Sequence, residues 1–326
     1  MLTLDLPKHY APVVKDFERY EIAFRDAIGG QSGALAELTD HVSRFRGKQL
    51  RPALVFLSAR AAGGTVTEDA IRAAVAIELI HTATLVHDDV IDGAEKRRSL
   101  PTVNSSWGNE TSVLLGDYLF ATAYGVAAAC AQPVTARSLA DATRLICRGE
   151  VNQLSQRGNI DLDRDTYFSI IADKTATLYE SAAHLGARLG GGSEERAALL
   201  AGFGRSLGVA FQIADDILDL LGEEEDVGKS LGTDLEMGTV TLPILYAMEH
   251  ASPARRAEIS DLLCDGSRTA RTRLRDLVEP SGAFEHARNV GRGLVSEAKR
   301  ALNSLPASPS LSALSEIADY VVERKL

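Results

Sequence analysis

Cysteine is scarce in this chain, and the three that occur, Cys130, Cys147 and Cys264, show none of the spacings of metal ligands. Their odd number argues against a disulfide framework, and unpaired thiols fit a reducing cytoplasm. Positive charge is also in deficit: the formal net charge is −10, which argues against the basic face or stripe of a nucleic-acid-binding protein. No Pro-, Gly- or Ser-rich linker divides the 326 residues, so one domain, 1–326, is expected, long enough to bury a large core. Nothing alternates convincingly with period two, which leaves an all-α fold: a large helical bundle around a central cavity.

The N-terminus, MLTLDLPKHY, has neither the charged start nor the apolar centre of a signal peptide. The longest weakly polar run, Thr111 to Ala131, has nearly the length of a membrane span. It contains Asp117 and the small residues Gly116, Ala121, Ala123 and Gly125, so a buried core helix is expected and no transmembrane segment. A phosphate loop is excluded as well. In GEEEDVGKS five residues separate Gly222 from Gly228, where the motif allows four, and a helix precedes it in place of a strand.

What the chain does have is acid in a pattern. From Glu78 to Arg98 an apolar helical run leads into Asp88, Asp89 and Asp92, turns through Gly93, and ends in Lys96, Arg97 and Arg98. Residues four apart share a helix face, so the three carboxylates are expected to aim at one point. Like charges this close raise one another's pKa. A divalent cation removes the conflict, and Mg²⁺ suits it, since it takes oxygen ligands and joins one or two carboxylates to phosphates. The alternative is a solvated acidic helix end. A second copy weakens that alternative: Ala210 to Asp219 reads AFQIADDILD against ATLVHDDVID from Ala83 to Asp92. Asp215, Asp216 and Asp219 thus repeat the first spacing, and two clusters facing across a cavity would hold a polyphosphate through several metal ions.

Other elements follow in order. Helical spacing runs from residue 9 to 28 and from Ala34 to Ser43; then comes RFRGKQLRP, a basic loop with Arg46, Lys48 and Arg51 suited to clamping an anion. Thr67 reads as the N-cap of the helix that carries the first acidic cluster. Arg137 to Arg157 forms an amphipathic helix with Gly149, Glu150 and Gln153, and Lys174-Thr175 lies inside a helix from about Arg164 to Leu189. Ser193 to Leu221 carries the second cluster, and helical patterns continue to the C-terminus.

The pair DDVID and DDILD, together with GKQLRP, ELIHTATLVHDD, KRRSLPT, GEVNQ, KTATL, FQIADD and VGKSLGTD, resembles the trans-isoprenyl diphosphate synthases, or polyprenyl synthetases. The resemblance covers Arg46 to Leu245 by motif and nearly the whole chain by helical pattern. It implies an all-α enzyme, usually a homodimer, that condenses isopentenyl diphosphate head-to-tail with an allylic diphosphate, using several Mg²⁺ ions per site. Product release at a membrane surface is compatible with this. By position, Asp88, Asp89, Asp92, Asp215, Asp216 and Asp219 would organise the metals. Arg97, Lys174 and Lys229 would bind the allylic diphosphate, and Lys48, Arg51, His81 and Arg98 isopentenyl diphosphate. Thr175 and Gln212 could offer oxygen dipoles to an allylic cation, and with no obvious general base the released diphosphate is left to take the proton.

Three departures stand out: Thr239 where members often carry lysine, Ser99 in place of the glycine of the RRG turn, and RGKQLRP for GGKRLRP. Chain length is read from the helix before Asp88. One turn back lies Thr84 with Ala83 beside it, and the next reaches Ile80. Short-chain members place an aromatic ring at the first level; here that level is open, with Phe120 or Tyr124 as candidate floors, which implies a product of six or more isoprene units. The alternatives are a farnesyl or geranylgeranyl diphosphate synthase, or one subunit of a heteromeric synthase. A class I terpene cyclase is disfavoured by the second aspartate cluster and by Lys48 and Arg51.

Overall fold

The computed structural model describes residues 7–45, 47–221 and 233–323. A short 3₁₀ turn, Lys8–Val13, leads into α1 (Val14–Ile28), α2 (Ala34–Ser43), α3 (Leu50–Ala61) and α4 (Glu68–Ile91). A hairpin of two-residue strands, β1 (Lys96–Arg97) and β2 (Leu100–Pro101), follows. Then come α5 (Val103–Trp107), α6 (Asn109–Ala128), α7 (Val134–Ser155), α8 (Arg164–Ile171), α9 (Thr177–Leu189) and α10 (Glu194–Leu221). The chain ends with α11 (Thr233–Glu236), α12 (Leu242–Glu249), α13 (Pro253–Asp265), α14 (Arg268–Val278), α15 (Ala283–Leu302) and α16 (Pro309–Val322). The all-α expectation holds, with that hairpin as the one sheet among the described residues.

The centre of the bundle is α4. Its residues from Ala73 to Ile80 are all buried, which is the pattern of a helix surrounded by protein, and it packs on α1, α3, α6 and α9. Thr67 caps it as expected: the Ala70 amide donates to Thr67 Oγ1 (3.2 Å), and that hydroxyl in turn donates to the Leu189 carbonyl at the end of α9 (3.0 Å). One cap thereby joins two core helices. By length and composition α4 and α10 could each cross a membrane, but 72% and 50% of their most apolar windows are buried inside the protein. Core helices of this size pass the same test.

One expectation needs correcting. The helix foreseen over Thr111 to Ala131 is α6, but it is buried on one side only. Ser112, Leu115, Leu119, Ala123 and Ala127 pack inward, whereas Leu114 is 68% and Val113 43% exposed. Small residues allow α6 to approach α4 closely; a Cβ added to Gly116 would meet the His87 ring at 2.1 Å.

The helix expected from Arg164 to Leu189 is interrupted. Residues Ala172–Ala176 form a π-turn between α8 and α9, and Lys174 and Thr175 sit in it. Such turns occur mostly at functional positions, where the wider backbone re-aims side chains.

Candidate active site

α4 and α10 both end in acid, against the direction that a helix dipole favours. Such ends need cations, and the structure supplies several around a cavity of about 1370 Å³ lined from both helices. Asp88 and Asp92 line it; Asp89 does not. Each helical residue turns about 100°, and at this helix end the second acid turns away from the cavity toward Arg97. Asp89 is 1% exposed and accepts three hydrogen bonds from Arg97, two from Nε (3.0 and 3.1 Å) and one from a terminal nitrogen (2.8 Å). The expectation of three convergent carboxylates is thereby corrected: Asp89 fixes Arg97, and Asp88 and Asp92 face the cavity. Asp92 accepts from Arg157 at 2.9 Å, a contact across 65 residues that no local pattern signals.

On α10, Asp215, Asp216 and Asp219 all reach the cavity. Asp216 is held from two sides, by the Tyr167 hydroxyl (2.5 Å) and the Gln212 amide (2.8 Å). Asp219 accepts from the Asp234 amide at 3.2 Å. Burial raises the Asp88 and Asp216 carboxyls to about 7 each. For Asp88, Glu150 and Asp92 push the same way against Lys174 and Arg97; for Asp216, the Tyr167 and Gln212 hydrogen bonds oppose the rise and the other two acids add to it.

Between the helices lies Lys174, whose ammonium meets Glu150 at 2.5 Å. Burial works against its charge, but Asp88, Glu150 and Asp92 outweigh that and hold its pKa above the usual lysine value. The π-turn that carries it needs space: a Cβ on Gly149 of α7 would stand 2.5 Å from the Lys174 amide nitrogen. Thr175 donates to the Gln212 side-chain oxygen at 2.7 Å, so the two residues expected to offer separate dipoles form one connected unit.

The basic loop forms a second charged wall. Lys48, Arg51, His81 and Arg98 line the same cavity. Arg51 stacks over Tyr179 at 4.6 Å, and its buried Nε has no hydrogen-bond partner among the described residues, a donor suited to an anion. Burial first, then Arg51, Arg98 and Arg97, hold the His81 pKa well below the ordinary imidazole value, so its ring is neutral at pH 7. Lys48 donates to the Tyr320 hydroxyl and lies 4.5 Å over that ring. Tyr320, 272 residues away on α16, is a neighbour that sequence spacing does not indicate.

Backbone strain gathers here. The non-glycine residues with positive φ among the described residues are Gln49 (49°), Arg98 (51°) and Ser99 (64°). All three belong to the two basic loops, and Gln49 and Ser99 are positions where the chain departs from the family motifs. The left-handed region favours glycine, so Ser99 carries a cost that the usual RRG turn avoids. Gln49 offsets part of its own by donating to the buried Glu21 at 3.1 Å.

Below Asp88 the lining comes from Thr84 and Leu85 of α4 and Phe120 of α6. Ala83 and Ile80 are both 0% exposed and lie outside the lining, as does Tyr124. At the level one turn below the acids Thr84 and Leu85 face the cavity, and Ala83 is rotated away from it into the packing. Thr239, where a lysine was noted as usual, lines the cavity. Lys229 and Arg46 lie outside the described residues.

Among the described residues no three His, Cys, Asp or Glu side chains converge closely enough to hold a metal unaided. The donor set still fits Mg²⁺, which keeps waters and uses one or two carboxylates with phosphate oxygens. Asp88 and Asp92 would hold it on one wall and Asp215 and Asp219 on the other, and charge at the buried carboxyls would then be favoured.

The polyprenyl synthetase family model matches residues 32–279. The chain is 37% identical to the short chain isoprenyl diphosphate synthase of Methanothermobacter thermautotrophicus, covering 89% of this chain and 90% of that protein. It is 34% identical to the all-trans-nonaprenyl-diphosphate synthase (geranyl-diphosphate specific) of Rhodobacter capsulatus, over 96% of each. Its fold superposes on the crystal structure of a polyprenyl synthase from Caulobacter crescentus complexed with calcium and isoprenyl diphosphate, with a TM-score of 0.93, 33% identity, and coverage of 98% of this chain and 97% of that one.

Proposed function

The chain belongs to the polyprenyl synthetase family, and on that premise we propose that it is a trans-prenyltransferase. It joins isopentenyl diphosphate head-to-tail to an allylic diphosphate and releases a polyprenyl diphosphate of six or more isoprene units. The observation that carries this reading is the placement of two aspartate walls, Lys174 and a separate basic wall around one cavity.

In this reading the allylic diphosphate lies between α4 and α10, against Lys174 and Arg97. Mg²⁺ bound there would supply Lewis-acid charge toward the leaving group. Asp88, Asp92, Asp215 and Asp219 hold that charge in place. Lys174 and Arg97 add fixed positive charge as the allylic C–O bond breaks. Lys48, Arg51, neutral His81 and Arg98 hold isopentenyl diphosphate so that its alkene attacks the allylic carbon. The new C–C bond leaves a tertiary cation, which loses a proton to the departed diphosphate. The Thr175 oxygen faces the cavity beside Lys174 and stabilises the transient positive charge. Thr84 leaves room below the acids for the growing chain, and Phe120 closes it.

The protein acts as a cytoplasmic homodimer. The exposed Val113 and Leu114 of α6 lie on the face that a second copy covers. The net charge of −10 speaks against nucleic acid as a partner, and the apolar product leaves toward a membrane surface.

The relative named as a short chain synthase supports a second reading, in which elongation stops at three or four units. One experiment separates them and also tests whether the chain needs another subunit. The purified chain alone is incubated with Mg²⁺, labelled isopentenyl diphosphate and primers of five to twenty carbons, and the products are resolved by length. Products of six or more units support the proposal. Products ending at three or four units select the short-chain reading, and no product from any primer refutes activity of the chain by itself.

A further inference from the structure

Three hydrogen bonds link four side chains in a row at the second aspartate cluster. Tyr167 of α8 donates to Asp216 Oδ2 at 2.5 Å, Gln212 Nε2 donates to Asp216 Oδ1 at 2.8 Å, and Thr175 Oγ1 donates to Gln212 Oε1 at 2.7 Å. The seven residues 168–174, from α8 and the π-turn, connect Tyr167 to Thr175 along the backbone. Tyr167 and Gln212 both donate to Asp216 and Thr175 donates to Gln212, so the orientation of the Gln212 amide is fixed by its partners. Tyr167 is 3%, Asp216 4% and Thr175 8% exposed. Short O–H···O⁻ bonds in such surroundings are among the stronger hydrogen bonds.

The first cluster has a matching arrangement. There the second acid, Asp89, is taken up entirely by Arg97. In both copies of the repeat, therefore, the second aspartate is buried against a donor from another element; Asp216 also reaches the cavity, whereas Asp89 does not.

We propose that Tyr167 is a positioning residue for the reaction, and that Asp216 serves as the anchor through which it acts, not as a metal ligand. The proposal rests on the prenyltransferase reading and assigns a role to a residue outside both aspartate motifs. Tyr167 holds Asp216, Asp216 orients Gln212, and the Gln212 oxygen accepts the Thr175 hydrogen bond. The lone pairs of Thr175 are thereby left to the cavity, and the π-turn is pinned to α10 with Lys174 aimed between the acids. Without the phenol hydroxyl the π-turn relaxes, and the transition state loses aligned charge while ground-state binding of the diphosphate persists.

Two measurements test this. The first is a double-mutant cycle on kcat and KM with Tyr167→Phe, Asp216→Asn and the double variant. Tyr167→Phe should lower kcat about tenfold to a hundredfold with KM within about threefold, and the double variant should match Asp216→Asn within about threefold. Fully additive effects, or a change confined to KM, overturn the proposal. The second needs no turnover: calorimetry of Mg²⁺ binding in the presence of inorganic pyrophosphate, on variants whose thermal melts show them folded. Asp215→Asn should weaken Mg²⁺ binding at least about tenfold, whereas Tyr167→Phe and Asp216→Asn stay within about threefold of wild type. Asp216→Asn weakening Mg²⁺ as much as Asp215→Asn makes Asp216 a ligand and overturns it. A wild-type chain that binds Mg²⁺ and pyrophosphate but makes no product refutes the prenyltransferase reading and leaves the calorimetric result to stand by itself.

Discussion

Replacing Thr84 with phenylalanine separates the two neighbouring residues that could set product length. A rise of 1.5 Å per residue puts Thr84 about 6 Å below Asp88 along α4, and its side chain faces the lumen opposite Phe120. A ring there extends into the cavity that Thr84 lines. The change removes the Thr84 hydroxyl's 2.8 Å hydrogen bond to the His81 carbonyl, an intrahelical bond whose loss costs at most about 1 kcal/mol. Ala83 is different: it is 0% exposed, and forcing a phenyl ring into that packing costs about 1–3 kcal/mol or more. Thr84→Phe should therefore keep its melting temperature, retain an initial rate within about threefold because the diphosphate contacts are untouched, and release mainly three- or four-unit products. Ala83→Phe should melt earlier, with its product length little changed when it folds. The assay is chain-length separation of labelled products, paired with thermal melts of both variants. Shortened products from Ala83→Phe together with unchanged products from Thr84→Phe would refute the reasoning.

Further outcomes follow from the loops and the titrating groups. Ser99→Gly relieves a residue with φ of 64° and should raise stability by up to about 1 kcal/mol in denaturant unfolding; a loss of stability would show that the serine hydroxyl matters more than the backbone. His81 has its folded pKa depressed by burial and by Arg51, Arg98 and Arg97. As pH falls from about 6.5 toward that lower value, the unfolded chain takes up a proton that the folded one refuses, so stability declines. His81→Gln should flatten this acid limb, and identical pH dependence in the two proteins would remove His81 as its source. Light scattering should give twice the 34.9 kDa chain mass; a fully active monomer would leave the exposed apolar side of α6 without the proposed partner.

Local spacing carried a large part of the site. Asp88 and Asp92, or Asp215 and Asp219, lie four apart on one helix, and that relation fixes their common face before any packing is known. The same geometry, applied one residue further, places Asp89 and Ala83 on different faces from Asp88 and Thr84, which the reading by motif passed over. Contacts between distant segments were not legible. Tyr167 meets Asp216 across 49 residues and Lys48 meets Tyr320 across 272, and nothing in either local pattern marks the partner. The π-turn at Lys174 escaped for a related reason: an i+5 turn leaves the helical composition unchanged, and its one sequence trace is Gly149 on another helix, where a side chain would strike the Lys174 amide.

The claim on which the account depends is that the aspartate walls of α4 and α10 act together on one diphosphate through divalent cations. Its most direct test is steady-state incorporation of labelled isopentenyl diphosphate by wild type, Asp88→Asn and Asp215→Asn, each with Mg²⁺ as the sole divalent ion and again with excess chelator, after circular dichroism has shown all three folded. Each substitution should lower turnover by about two orders of magnitude or more, and chelator should abolish the wild-type rate. A wild-type rate in either variant, or turnover that survives the chelator, would contradict the account.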